Sequence, residues 1–311
     1  MFEIVTPYAL FRTQIHTLRD TLPGVLDGRP ASIHDARIAT RRIRELLPLL
    51  GDPKRRQEID DLRSRFKRLG RSLGRVRDAD VRVTLLASLE TRMPHAAPAL
   101  VVLRQQREQE RLDLLRKLVR RLERLEAVRL IEMFDGSRLS FALPWGLRAA
   151  RAWRRDLAYT LRERAATTKE AIDHATGVYF PDRSHAARIA IKRMRYAMEI
   201  AHETGSERSA AIRELKKAQD LLGDLHDRQE LVDNLTETCP SDKPEIASQV
   251  ALLKQVIDAE CHDLHTRYLA RRSAVIDICY GVRRQPHRIP ARSLVAASAL
   301  AISSGLYARL R

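Results

Sequence analysis

His34–Arg44 reads HDARIATRRIR, and His185–Arg195 reads HAARIAIKRMR. On a helix at about 100° per residue, the histidine and the basic residues three, seven and ten positions on fall within about 80° of surface. In the first copy these are His34, Arg37, Arg41 and Arg44; in the second they are His185, Arg188, Lys192 and Arg195. Ile43 and Leu47, and likewise Met194 and Met198, fall on the opposite side. Each stretch therefore predicts an amphipathic helix with a cationic stripe and an apolar back. Like charges on one helix face repel, whereas solvated faces gain from mixed signs at i, i+4. The first stripe holds no acid, and the second meets Glu199 only at its far end. A stripe of uncompensated cations occurring twice predicts an anion site, because Arg forks fit tetrahedral phosphate oxygens.

The second copy follows the first by about 150 residues, and other landmarks keep that register. FKRLGRSLGRVRDAD, at 66–80, aligns with LKKAQDLLGDLHDRQ, at 215–229, so that Leu73-Gly74 with Asp78 matches Leu222-Gly223 with Asp227 and Lys67 matches Lys216. The Pro94–Pro98 and Pro240–Pro244 breaks recur at a similar offset. A duplicated helical unit accounts for all of this, and it predicts an all-α protein: two four-helix bundles with long helices, related by a pseudo-two-fold. The expected boundaries are 1–145 for the first half, 146–290 for the second and 291–311 for a C-terminal helical tail. Within each half, the motif helix is expected to start at a Ser cap, Ser32 or Ser184. The next helix is expected to end near Gly74 or Gly223, with Asp78 or Asp227 capping a further one. A single long helix is expected from Pro244 to about Val282.

Composition agrees with this reading and narrows the partner. The 311 residues include 57 Lys and Arg against 40 Asp and Glu, a formal charge of +17, with only 5% aromatics. So large a basic excess predicts a polyanionic partner: nucleic acid, an anionic membrane surface or a phosphate polymer. Cys239, Cys261 and Cys279 are odd in number and widely spaced, which points to a reducing compartment rather than a disulfide framework. No signal peptide is evident at the N-terminus, and the apolar tract Ser293–Leu306 is too short to span a bilayer. The expected location is cytoplasmic.

Several chemistries lack their residues. No phosphate-cradling glycine motif accompanies Gly74 or Gly223; both read as helix stops or points of close helix approach, and with Asp78 and Asp227 they are assigned to structure. His34-Asp35 has no aspartate counterpart at His185-Ala186, and a cationic motif repels a metal, so no metal site and no catalytic group is assigned and no cofactor is expected. His262-x-x-His265 beside Cys261 has ligand spacing but no fourth ligand in register. Lys67, Arg68 and Arg71, with Lys216 and Lys217, are expected to extend the groove from the neighbouring helix. The Arg116–Arg129 run alternates with Glu123 and Glu126 and reads as a solvated face.

The doubled H-x-x-R-x-x-x-[RK]-R-x-R signature and the two L-G-x-x-x-D segments resemble the CHAD domain family, the conserved-histidine α-helical domains. His185–Glu199 fits most closely, through Lys192, Arg193, Arg195, Tyr196 and Glu199. The resemblance covers most of the chain. It implies paired helical bundles and non-enzymatic binding of inorganic polyphosphate in a basic groove or pore between them, with targeting to polyphosphate granules as a further expectation. It also implies phosphate contacts from His34, Arg37, Arg41, Arg42 and Arg44 in one half, and from His185, Arg188, Lys192, Arg193, Arg195 and Tyr196 in the other. Arg41 stands where the second copy has Lys, and Glu45 where it has Tyr, so binding is expected to be uneven between halves. The sequence shows no E-x-E-x-K opening of a triphosphate-tunnel domain, so the chemistry of such fusions is not carried over. Nucleic-acid binding is the alternative, though the motif helices lack the aromatic platforms that single-strand binders use. A polyphosphate-processing enzyme is a third reading, without a visible acidic metal site.

Overall fold

The computed structural model describes residues 6–50, 56–124, 147–176, 179–205, 208–238 and 244–284. These residues form nine α-helices and no strand. They are α1 (Pro7–Leu26), α2 (Pro30–Leu46), α3 (Arg56–Arg92), α4 (Ala97–Arg124), α5 (Leu147–His174), α6 (Pro181–Glu203), α7 (Ser209–Thr238), α8 (Pro244–Leu269) and α9 (Arg272–Arg284). The expected half boundary near 145, the tract Ser293–Leu306 and Cys239 lie outside the described residues. No helix among those residues is long and apolar enough to cross a membrane.

Proline, not serine, opens the motif helices. Pro30 and Pro181 occupy their first turns, and neither Arg29 nor Phe180 makes a side-chain cap bond. A proline there has its φ already set and gives up an N–H that no helical carbonyl would accept. α1 does carry a side-chain cap: Thr6 Oγ1 accepts from Ala9 N–H at 3.2 Å. It also runs through Pro23 for another turn. That turn buries Val25 and sets Gly24 against the Ser32 side chain, where a Cβ would collide. Ser32 is thus a packing residue. Gly28, at φ +71°, reverses the chain into α2 in a conformation L residues rarely adopt.

Two further expectations are corrected. α3 and α7 pass uninterrupted through Gly74 and Gly223. The expected helix from Pro244 to Val282 is broken by a turn at Ala270-Arg271.

Helices adjacent in sequence pack against each other: α1 on α2, α2 on α3 and α3 on α4, then α5 on α6, α6 on α7 and α7 on α8, with α9 against α5 and α7. Between the halves, α2 packs on α6, α3 on α7 and α4 on α8, and the short 3-10 turns Leu47–Leu49 and Pro94–Ala96 touch α5 and α8. The apolar backs of the motif helices enter the core as their periodicity requires. Ile43, Leu47, Met194 and Met198 are all buried, as are Cys261 and Cys279, which are free thiols. Arginine also fastens the halves together. Arg42 on α2 pairs with Glu199 at 3.4 Å and Glu203 at 3.3 Å on α6, and Arg164 on α5 reaches Glu45 on α2 at 3.5 Å. Glu260 on α8 bridges Arg92 at 2.7 Å and Arg228 at 2.6 Å.

Candidate functional site: a cationic groove between the motif helices

Where α2 meets α6 and α3, a groove of about 350 Å³ is lined by Arg37, Arg41 and Arg44 of α2, Arg71 and Arg75 of α3, and Lys192 of α6. Asp78 is the single acid on its wall. Arg37 uses it, at 3.7 Å. Among the described residues, no carboxylate lies within ion-pairing distance of Arg41, Arg44, Arg71, Arg75, Arg188, Lys192 or Arg193.

The glycines explain how the arginines are held. A Cβ at Gly74 would lie 3.4 Å from Arg37 Nε, and one at Gly223 would lie 3.8 Å from Arg188 Nε. Each motif arginine therefore lies across a bare spot on the neighbouring helix. Asp78 and Asp227, one turn beyond the glycines, supply the field beside Arg37 and Arg188. The helix-stop and cap readings of these four residues fail because α3 and α7 run on past them, while the other reading of the glycines, close approach of a neighbouring helix, is the one found, and Gly74 and Asp78 line the groove. Gly70 performs a related service: a Cβ there would press on Thr40 Oγ1 of α2 at 3.2 Å.

Crowding of like charge governs the electrostatics. Burial, followed by the charges of Arg41, Arg37 and Arg188, pushes the Lys192 ammonium down to about 6. Burial, with Arg37 and Arg195 adding to it, lowers Arg41 to about 10. Arg44 is lowered by burial and by Arg63, Arg193 and Arg71, partly offset by Glu45. The Nε atoms of Arg41 and Arg44 are buried without a partner. A site that disfavours its own cations in this way is complementary to an anion.

The histidines differ between halves. His34 is exposed, and its pKa is lowered by partial burial and by Arg77 of α3. His185 instead contacts His226 of α7, Nδ1 to Nδ1 at 3.3 Å, so the pair can place only one proton between the rings. Burial and Arg188 press His226 down to about 4, and its Nε2 lies 3.5 Å from Glu230.

The sequence-predicted residues divide accordingly. Arg37, Arg41, Arg44, Arg71 and Lys192 converge on the groove. Arg42 does not, because it is spent on Glu199 and Glu203. Arg195 is held by Glu199 and donates to Gln219 at 3.0 Å. Tyr196 is 3% exposed and offers its ring rather than its hydroxyl, with the Arg41 guanidinium 4.0 Å above the centroid and that of Arg195 at 4.6 Å. It positions Arg41 by cation–π contact. Lys67 is exposed and lies outside the groove lining. Lys216 pairs with Asp220 at 3.4 Å, and Lys217 pairs with Glu214 at 3.3 Å and lines a separate depression with Arg267 and Arg271. Arg75, Arg77 and His226 were missed. Each stands within three residues of Gly74 or Gly223, so the recurring L-G-x-x-x-D segment was the available signal.

The described residues are all helical or connecting turns, and the doubled cationic motif contributes most of the groove's charge. A model of the CHAD domain matches residues 9–236, and the chain belongs to that family. The crystal structure of the CHAD domain from the plant Ricinus communis is similar in fold, with a TM-score of 0.61 and 24% identity over 86% of this chain and 89% of that one. A search of curated proteins finds no match.

Proposed function

We propose that this protein binds inorganic polyphosphate in the groove between α2 and α6, as a binding module without catalytic chemistry. One observation carries the reading: Arg41, Arg44, Arg71, Arg75 and Lys192 share one groove without an acidic partner. A linear polyphosphate has a charge on every unit and no bases. It therefore asks for dense Arg and Lys and has no use for stacking platforms, which the groove lacks. Membership in a family associated with polyphosphate binding supports the same reading. So does the matched pairing of α2 with α6, α3 with α7 and α4 with α8, which is the pattern two pseudo-two-fold-related halves produce when they meet along one axis.

The test is competition at physiological salt between long-chain polyphosphate, pyrophosphate and duplex DNA. Polyphosphate is expected to outcompete DNA at equal phosphate concentration; displacement by DNA under those conditions would refute the assignment. Arg37→Glu with Arg188→Glu is expected to weaken polyphosphate binding by about ten-fold or more, since two charge-assisted contacts become repulsions. Helicity should be retained. Salt dependence alone would not discriminate, because any polyanion releases counterions.

A further inference from the structure

Taking Gly74 with Gly223 and Asp78 with Asp227 as the register for α3 and α7, and His34 with His185 for α2 and α6, the groove can be compared rung by rung at its two ends. At one end Arg44, Arg193, Arg71 and Arg75 have no carboxylate within ion-pairing distance among the described residues. Arg63, Arg193 and Arg71 lie close enough to Arg44 to disfavour its charge. The equivalent positions at the other end are neutralised or reversed. Arg195, opposite Arg44, is tied to Glu199 and Gln219. Arg42, opposite Arg193, is tied to Glu199 and Glu203. Asp220 and Asp224 replace Arg71 and Arg75, and Ile212 replaces Arg63.

We infer that the groove is one-ended: a bound phosphate chain is anchored between Arg37, Arg41, Lys192 and Arg188 and leaves only over Arg44, Arg71, Arg75 and Arg193. The inference rests on the polyphosphate reading above and adds a direction to it. On the α7 side Asp220 is paired with Lys216 and lies with Asp224 in the separate depression of Lys217, Arg267 and Arg271, so no unpaired cation continues the groove there. On the α3 side every further phosphate meets a cation whose own repulsion it relieves. Affinity should therefore grow with chain length through one wall alone. A symmetric groove would gain from both.

The experiment compares tripolyphosphate with a chain of about one hundred phosphates, binding each to the full-length protein by calorimetry. Arg71→Ala with Arg75→Ala, both exposed positions that do not threaten folding, is expected to weaken the long chain by about ten-fold or more while changing tripolyphosphate by less than about two-fold, as two phosphate contacts are lost from the extension only. Asp220→Arg with Asp224→Arg, which supplies the missing rungs, is expected to tighten the long chain, and Asp220→Ala with Asp224→Ala to leave it no weaker than wild type. Equal losses for both ligands in the Arg71/Arg75 variant, or a weaker long chain in the Asp220/Asp224 alanine variant, would overturn the one-ended path while leaving polyphosphate binding intact. Failure of the wild-type protein to bind either ligand would overturn the polyphosphate reading itself.

Discussion

Replacing Lys192 by methionine should stabilise the protein, and the gain should depend on pH. Lys192 sits among Arg41, Arg37 and Arg188, with Asp78 only partly offsetting them, and burial with these charges pushes its ammonium from 10.5 to about 6. Between those values the unfolded chain holds a proton on Lys192 that the folded chain does not. Stability therefore rises with pH across this window, by up to about 1.4 kcal/mol per unit, and the penalty is complete below about pH 6. The whole shift sets a ceiling of about 6 kcal/mol, and relaxation and water penetration reduce it, so about 3 kcal/mol is the expected gain for Lys192→Met at pH 7. Methionine keeps the length of the stem and removes the charge. Urea unfolding at pH 7, 8 and 9 reads the effect directly. Wild type should gain stability relative to the variant as pH rises, and the two should converge toward pH 10. Saturation with polyphosphate should flatten the wild-type slope, because bound phosphates hold the ammonium protonated. Parallel pH profiles for wild type and Lys192→Met would refute the account of the groove as a site under cationic strain.

Arg42→Ala should cost about 1–3 kcal/mol in urea unfolding, since it leaves Glu203 part-buried without its partner and Glu199 with Arg195 alone. Its long-chain polyphosphate affinity should stay within about two-fold of wild type, whereas Arg41→Ala should lose binding with little loss of stability. At the glycines, Gly223→Ala should stabilise α7 by about 0.5–1 kcal/mol through helix propensity, since its Cβ has room at 3.8 Å from Arg188. Gly74→Leu should instead evict Arg37 and weaken binding; unchanged affinity in that variant would show that Arg37 does not need the bare surface beneath it.

The motif helices were legible because a stripe of cations over an apolar back is a property of one helix, and periodicity reports single helices well. What that stripe faces is a property of two. Arg41 and Arg42 are neighbours in sequence but point about 100° apart, and only the position of α6 decides that Arg41 enters the groove while Arg42 meets Glu199 and Glu203. The same blindness applies to Gly74 and Gly223. A glycine in a helical pattern reads equally as a stop and as a contact, and the arginine that needs the contact lies on another element. The engagement of Arg195 was more readable, because Glu199 stands four residues on, at the spacing where ion pairs form within one helix.

Positions 45 and 196 bring these threads together. At 196 the tyrosine ring carries Arg41 on one side and Arg195 on the other, so a buried apolar surface holds a guanidinium in place without neutralising it. At 45 the glutamate pairs with Arg164 and also partly offsets the repulsion on Arg44. A carboxylate fixes a cation by cancelling its field, and a ring fixes it while leaving the field available to a ligand. The half that supplies Tyr196, Glu199 and Glu203 therefore serves as the scaffold, and the half that supplies Arg41, Arg44, Arg71 and Arg75 presents most of the charge. Division of labour of this kind requires both motif helices to be present but does not require them to be equivalent. That is why a symmetric sequence motif can build an asymmetric site.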